Sequence, residues 1–190
     1  MLFAIKNRLI PTLLLLFLFI AAAIYLRDAL GLTWHYELVP IDFLLAAFVM
    51  AASDGLLHAF LAWTLGAAYL SRFRALVHYF RPQHAPEIVA GGLLAGGEEL
   101  IFRGVLLEGL QSLAGIPPVA AVGVAALVFG LLHALPNKTL FPFTFWAIWE
   151  GVLLGGVYVL SGSLVVVVLL HVLHDIGGFS VFAYQRRHWQ

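Results

Sequence analysis

The sequence contains no cysteine, which removes disulfides, thiolate metal ligands and cysteine nucleophiles together and leaves the redox compartment open. Charge is scarce as well: 11% of the 190 residues are Asp, Glu, Lys or Arg, ten acidic and ten basic, for a formal net charge of zero. Most of the basic residues stand at the edges of apolar runs, so there is no basic face to offer a nucleic acid. Low-complexity tracts, a convincing internal repeat and a second domain are also missing. In their place the chain is 63% hydrophobic with a mean hydropathy of +1.00, outside the range of a soluble domain. These features predict an all-α polytopic integral membrane protein, a single transmembrane domain over residues 1–190 with its chemistry-bearing motifs within 88–183.

Six apolar stretches are bounded by charged or Pro/Gly-rich breaks, at roughly 9–26, 41–70, 88–113, 118–135, 140–160 and 164–183. Lys6 and Arg8 precede the first stretch, as in a signal peptide. That stretch is long enough to span at ~1.5 Å per residue and no small-x-small cleavage site follows, so the expectation is a retained helix. The second is long for a span, which suits a tilted helix or one that continues beyond the bilayer. With six spans, Lys6, Arg8, Arg72, Arg74, Arg81, Lys138, Arg186 and Arg187 collect on one side and Arg27 on the other. Both termini are therefore expected in the cytoplasm. Short connections at Gly115-Ile116-Pro117-Pro118 and Ser161-Gly162-Ser163 predict antiparallel neighbours. The stretch from Ser71 to Glu87 mixes arginines with Phe73, Tyr79 and Phe80, the composition of an amphipathic segment at the cytoplasmic surface.

Within these spans the polar residues are few enough to weigh singly. Gly96-Gly97-Glu98-Glu99-Leu100-Ile101-Phe102-Arg103-Gly104 places two carboxylates and an arginine inside an apolar run. Each ionised group at bilayer depth costs about 2.5–3.5 kcal/mol or more, so three together imply mutual pairing or a function. Glu99 and Arg103 are four apart, on one helical face and in the favoured order. Glu98 points about 100° away and would be left for other work. A buried structural ion network is the plain alternative. The small residues around them, Gly91, Gly92, Gly96, Gly97 and Gly104, allow neighbouring helices to come close.

The fourth stretch adds Phe129 and His133 on one face, and the sixth adds His171 and Asp175 one turn apart, with His174 about 60° round the helix. An imidazole with an acidic neighbour one turn away is oriented for catalysis or metal binding. Hydrocarbon leaves such groups little choice but to meet, so Glu98, Glu99, Arg103, His133, His171 and Asp175 are expected round one wet cavity. Asp54 and His58, also one turn apart, read as a satisfied pair fixing the second helix. Glu150, beside Trp146 and Trp149, suits either a substrate entrance or an interface. Asp42 marks a helix start, and Glu108 and Gln111 receive no role.

Glu-Glu-x-x-x-Arg at Glu98 to Arg103, Phe-x-x-x-His at Phe129 to His133 and His-x-x-x-Asp at His171 to Asp175 resemble the CAAX protease and bacteriocin-processing family of intramembrane endopeptidases. That family includes type II CAAX prenyl endopeptidases, Abi proteins and myxosortase-like enzymes. The third motif ends in Asp175 where many members carry asparagine. The resemblance implies hydrolysis of a peptide bond by a glutamate-activated water, with a membrane-anchored protein or peptide as substrate and the lipid bilayer as its setting. It implies Glu98 as general base, His133 as its partner on the water, His171 and Asp175 at the water or scissile carbonyl, and Glu99 with Arg103 as braces. It also implies a bacterial or archaeal cytoplasmic membrane. Two glutamates and two histidines could bind zinc, but no His-Glu-x-x-His is present, and catalysis without a cofactor is the favoured reading. Gly-x-Gly-Asp and Gly-x-Ser-Gly, which other intramembrane proteases would need, are absent. Two readings from other classes stay open: a proton- or ion-coupled transporter using the same groups as a relay, and a scaffold or immunity protein using them as a structural network.

Overall fold

The computed structural model describes residues 9–80, 84–133 and 143–188. Lys6, Arg8, Arg81 and Lys138, on which the expected orientation partly rests, and the facing ends of the fourth and fifth stretches lie outside the described residues. Among those residues every regular element is helical.

Proline and glycine punctuate the helices. Pro40, Pro86 and Pro118 each occupy a first helical turn, where the missing N–H would have had no partner anyway. The chain runs through α1 (Leu9–Leu30), α2 (Pro40–Leu65), α3 (Ala67–Tyr79) and α4 (Ala85–Ile101). A π-helical segment, Phe102–Leu107, then leads without a break into α5 (Glu108–Ser112). After these come α6 (Pro118–Leu132), α7 (Phe143–Ser161) and α8 (Leu164–His188). Four of them, α1, α2, α7 and α8, are long and apolar enough to cross a membrane, and α6 is apolar but shorter. Six crossings were expected; the third of these corresponds to the rod α4–π–α5 and the fourth to α6.

Two boundaries differ from the sequence expectation. The stretch 41–70 is not one helix: Gly66, at φ 54 and ψ −131, occupies backbone that residues with a Cβ rarely adopt, so α2 stops at Leu65 and α3 starts in a new direction. Arg27 was expected in a connection but belongs to the last turn of α1 and is fully buried. Its guanidinium donates from NH1 to the Gly104 carbonyl oxygen in the π segment and lies 4.4 Å over the Trp34 ring, while Nε and NH2 are buried without a hydrogen-bond partner.

The most extensive contacts join α4 to α8, α6 to α7, and α1 to α4. The first depends on glycine. A Cβ added at Gly96 would lie 2.6 Å from Val172 Cγ2, and one at Gly92 would lie 2.8 Å from the Val172 carbonyl oxygen, so these positions let α4 and α8 approach almost backbone to backbone. Leu107, Ala121, Val122, Ala125, Tyr158, Leu164 and Val167 form the main buried cluster. Outward-facing side chains are large and apolar instead: Phe17, Phe48 and Trp63 are 72%, 74% and 83% exposed, as expected of a surface that meets lipid.

Helix ends sort into two groups. Trp34 and Ile116 pack against the cluster containing Leu164, and the Leu164 amide donates to the His35 carbonyl oxygen at 3.0 Å. The connections α1–α2, α5–α6 and α7–α8 therefore share one end of the bundle. Arg186, near the end of α8, donates to the Phe80 carbonyl oxygen at 2.6 Å, which places the end of α3 at the other.

Candidate active site

Close packing of α4 on α8 brings Glu99 against His171. The His171 imidazole donates from Nδ1 to Glu99 Oε1 at 2.7 Å, and Arg103 NH1 donates to the same oxygen, also at 2.7 Å. Arg103 NH2 donates to the Gly151 carbonyl oxygen of α7 at 2.9 Å. Glu99, Arg103 and His171 are all essentially inaccessible, so this is a fully desolvated charge network whose geometry is fixed by three helices. Removing one partner from such a network costs about 3–5 kcal/mol, because the other charge is left buried and uncompensated. Three residues after Glu99, at Phe102, the π segment begins, and it carries Arg103. Its wider turn belongs to a helix form that is rare and concentrated at functional sites.

Glu98, pointing away from this network, lines a cavity of about 780 Å³. His133 caps the end of α6, and its Nδ1 donates to the Phe129 carbonyl oxygen at 2.8 Å. A carbonyl only accepts, so Nδ1 carries the proton and Nε2 faces Glu98, 3.7 Å from Oε2. That distance is too long for a direct hydrogen bond. The Nε2 atom of His171 stands 3.8 Å from Asp175 Oδ1, and both residues line the same cavity. All six residues singled out from the sequence therefore meet in one place. Their division is clear: Glu98, His133, His171 and Asp175 present groups to the cavity, while Glu99 and Arg103 lie behind them.

The structure corrects one pairing and adds a residue. Asp175 was expected to orient His171 from one turn away, but at 3.8 Å it makes no hydrogen bond; Glu99 orients His171 instead. Asp175 interacts with His174 Nδ1, 3.3 Å away. The added residue is Phe129. Its buried ring lies 5.0 Å below the Arg103 guanidinium, 4.3 Å from the His133 ring and 6.0 Å from that of His171. One aromatic thus sets the spacing of three polar side chains. Its place one turn before His133 was visible in the sequence; its contact with Arg103 was not, because that contact joins different helices.

Asp54 and His58 do not pair with one another. Asp54 Oδ2 lies 2.5 Å from His174 Nε2 of α8, and His58 Nδ1 lies 2.8 Å from the Tyr69 hydroxyl of α3. Glu150 lines the cavity together with Trp146. Glu108, left without a role, accepts the Tyr158 hydroxyl at 2.7 Å. For metal binding, Asp54, Glu150 and His174 form a group whose donor atoms all lie within 4.8 Å of one another. Among the described residues the set Glu98, His133 and His171 does not close to that distance.

No curated protein and no solved structure matches the chain. Residues 81–177 match the family model of the Rce1-like type II CAAX prenyl endopeptidases. That region is just over half of the sequence and holds Glu98, Glu99, Arg103, His133, His171 and Asp175. The chain therefore belongs to the Rce1-like type II CAAX prenyl endopeptidases, a family of membrane proteases.

Proposed function

We propose that the protein is an intramembrane endopeptidase in which Glu98 activates water against a peptide bond of a membrane-anchored substrate, of the CAAX type or a C-terminal sorting tail. The observation that carries this reading is the split between the adjacent glutamates. Glu99 accepts from Arg103 and His171 through Oε1 in a buried network, while Glu98 faces the cavity beside His133 Nε2. A water lodged beside that pair would give one proton to Glu98, and His133 Nε2 would hold it in line. As the oxygen attacks the carbonyl carbon, negative charge grows on the carbonyl oxygen. His171 Nε2, with its ring held by Glu99, is the group placed to receive that charge when protonated, with Asp175 at its side. Glu98 then returns its proton to the leaving nitrogen as the C–N bond breaks. No step in this sequence calls on a metal.

Apolar walls suit the substrate. Phe73, Phe80, Phe179 and Phe182 line the same cavity as Glu98, a chamber for a lipidated or hydrophobic chain end. The wider reading is a single six-span domain with both termini in the cytoplasm, in a bacterial or archaeal cytoplasmic membrane.

The decisive experiment uses purified protein in proteoliposomes and a quenched farnesylated peptide ending in a CAAX sequence. Glu98→Gln is expected to lower kcat by at least ~10²-fold, the lower range for loss of a general base, with unchanged melting temperature. Products are identified by mass spectrometry. A Glu98→Gln protein that cleaves normally while proton or ion flux across the vesicle changes would instead favour the transporter reading.

A further inference from the structure

The cavity is lined by five carboxylates and four imidazoles and, among the described residues, by no lysine or arginine. On its α2–α7–α8 side, Asp54, Glu150 and His174 bring their donor atoms within 4.8 Å of one another. Part of this cluster is satisfied as an ordinary hydrogen-bonded pair, since Asp54 Oδ2 and His174 Nε2 are 2.5 Å apart. That pairing leaves one oxygen unmet and a further carboxylate close by. Asp54 Oδ1 is buried with no hydrogen-bond partner, and Glu150 adds a second carboxylate to a site already holding one. An unmet buried carboxylate oxygen is costly, and a second carboxylate brought beside it in apolar surroundings adds like charge that a cation would offset.

We propose that Asp54, Glu150 and His174 form a binding site for one divalent first-row transition metal, of the zinc or manganese class, distinct from the hydrolytic residues. The donor set is one imidazole nitrogen and two carboxylates, which suits such ions. Donors round a four-coordinate zinc stand about 3.3–3.6 Å apart, given bonds of ~2.0–2.2 Å. Asp54 Oδ2 and His174 Nε2, now 2.5 Å apart, would open by about 1 Å to reach that spacing, and the flexible side chain of Glu150 would close the rest of the way. The proton between Asp54 and His174 leaves for solvent as the cation takes its place. His174 has the second-shell arrangement of a metal-bound histidine: with Nε2 directed at the site, its Nδ1 lies 3.3 Å from Asp175 Oδ1, a carboxylate that fixes the ring and its tautomer. Trp149 Nε1 donates to Ser53 Oγ at 2.8 Å, tying α7 to α2 beside two of the three ligands. Three protein ligands leave a coordination position for water, or for an anionic group of whatever enters the cavity.

The test is Co²⁺ binding by the purified full chain in nanodiscs, followed by equilibrium dialysis and by the visible d–d bands of low-symmetry cobalt. The expected result is one Co²⁺ per chain, displaced by Zn²⁺, lost in Glu150→Gln and His174→Gln and retained in Glu98→Gln. Asp175→Asn should weaken binding by ~10–100-fold, as second-shell changes do. Wild-type protein that takes up no stoichiometric Co²⁺ overturns the proposal, whatever the variants do. So does binding that disappears in Glu98→Gln and persists in Glu150→Gln, which would assign the ion to the hydrolytic group. Glu150→Gln replaces a carboxylate by an amide of the same shape, so a monodisperse elution profile for that variant suffices if His174→Gln fails to fold.

Discussion

At the scale of single residues the site works by giving two neighbours opposite tasks. Glu98 and Glu99 are chemically the same, yet one lies in a desolvated network and the other at a cavity wall. Their 100° separation on the helix is enough to send them to different environments. Phe129 makes the arrangement rigid, because Arg103, His133 and His171 all rest on its ring. Phe129→Leu keeps most of the buried apolar volume but removes that flat surface. It is expected to lower kcat by ~10–100-fold, since small misplacements of positioned groups are expensive, while shifting the melting temperature only slightly. Steady-state cleavage and thermal unfolding of the same preparation check both parts. Equal loss of both would reduce Phe129 to ordinary core packing. The division of the two glutamates was legible in the sequence through the Glu99–Arg103 spacing. The orienting of His171 by Glu99, and the partnership of Asp54 with His174, were not, because helical periodicity reports neighbours on one helix and these contacts cross between helices.

At the scale of elements, glycine sets how closely the polar residues can be brought together. A Cβ added at Gly151 would lie 2.9 Å from the Ala126 Cα, a backbone atom that cannot swing aside. Gly151 also offers its carbonyl oxygen to Arg103. Gly151→Ala therefore pushes α7 from α6 and pulls an acceptor from a buried guanidinium at the same time. The expected cost is about 1–3 kcal/mol, the range for overpacking, with reduced cleavage. Gly156→Ala, five residues further along α7 where an added Cβ meets nothing within 4 Å, should be neutral or mildly stabilising, by up to ~1 kcal/mol of helix propensity. Chemical denaturation of the two variants side by side separates steric from intrinsic effects. Small residues near Glu98 announced close packing in the sequence, but the π segment at Phe102–Leu107 carried no signal there. Nor did the break at Gly66, since a glycine within an apolar run is compatible with a continuing helix until its φ of 54 is seen.

For the whole molecule, the question is which end of the bundle faces which compartment. Charge alone argues for six crossings, because Arg72, Arg74, Arg186 and Arg187 then share a side and Arg27 lies toward the other. Packing supplies an independent argument, since the α1–α2, α5–α6 and α7–α8 connections cluster at one end while the ends of α3 and α8 meet at the other. An even number of crossings follows if the rod α4–π–α5 and the shorter α6 each traverse the bilayer, α6 where the membrane thins against a short helix. The chain has no native cysteine, so single-cysteine variants report topology without background. Thr33→Cys and Ala114→Cys should react with a membrane-impermeant maleimide added outside intact cells. Ser71→Cys should react only after permeabilisation. Protection of Ala114→Cys alongside labelling of Thr33→Cys would mean that α4–π–α5 does not cross. In that case the proposed six-crossing topology, and with it the route by which a membrane-anchored chain end would reach Glu98, would have to be redrawn.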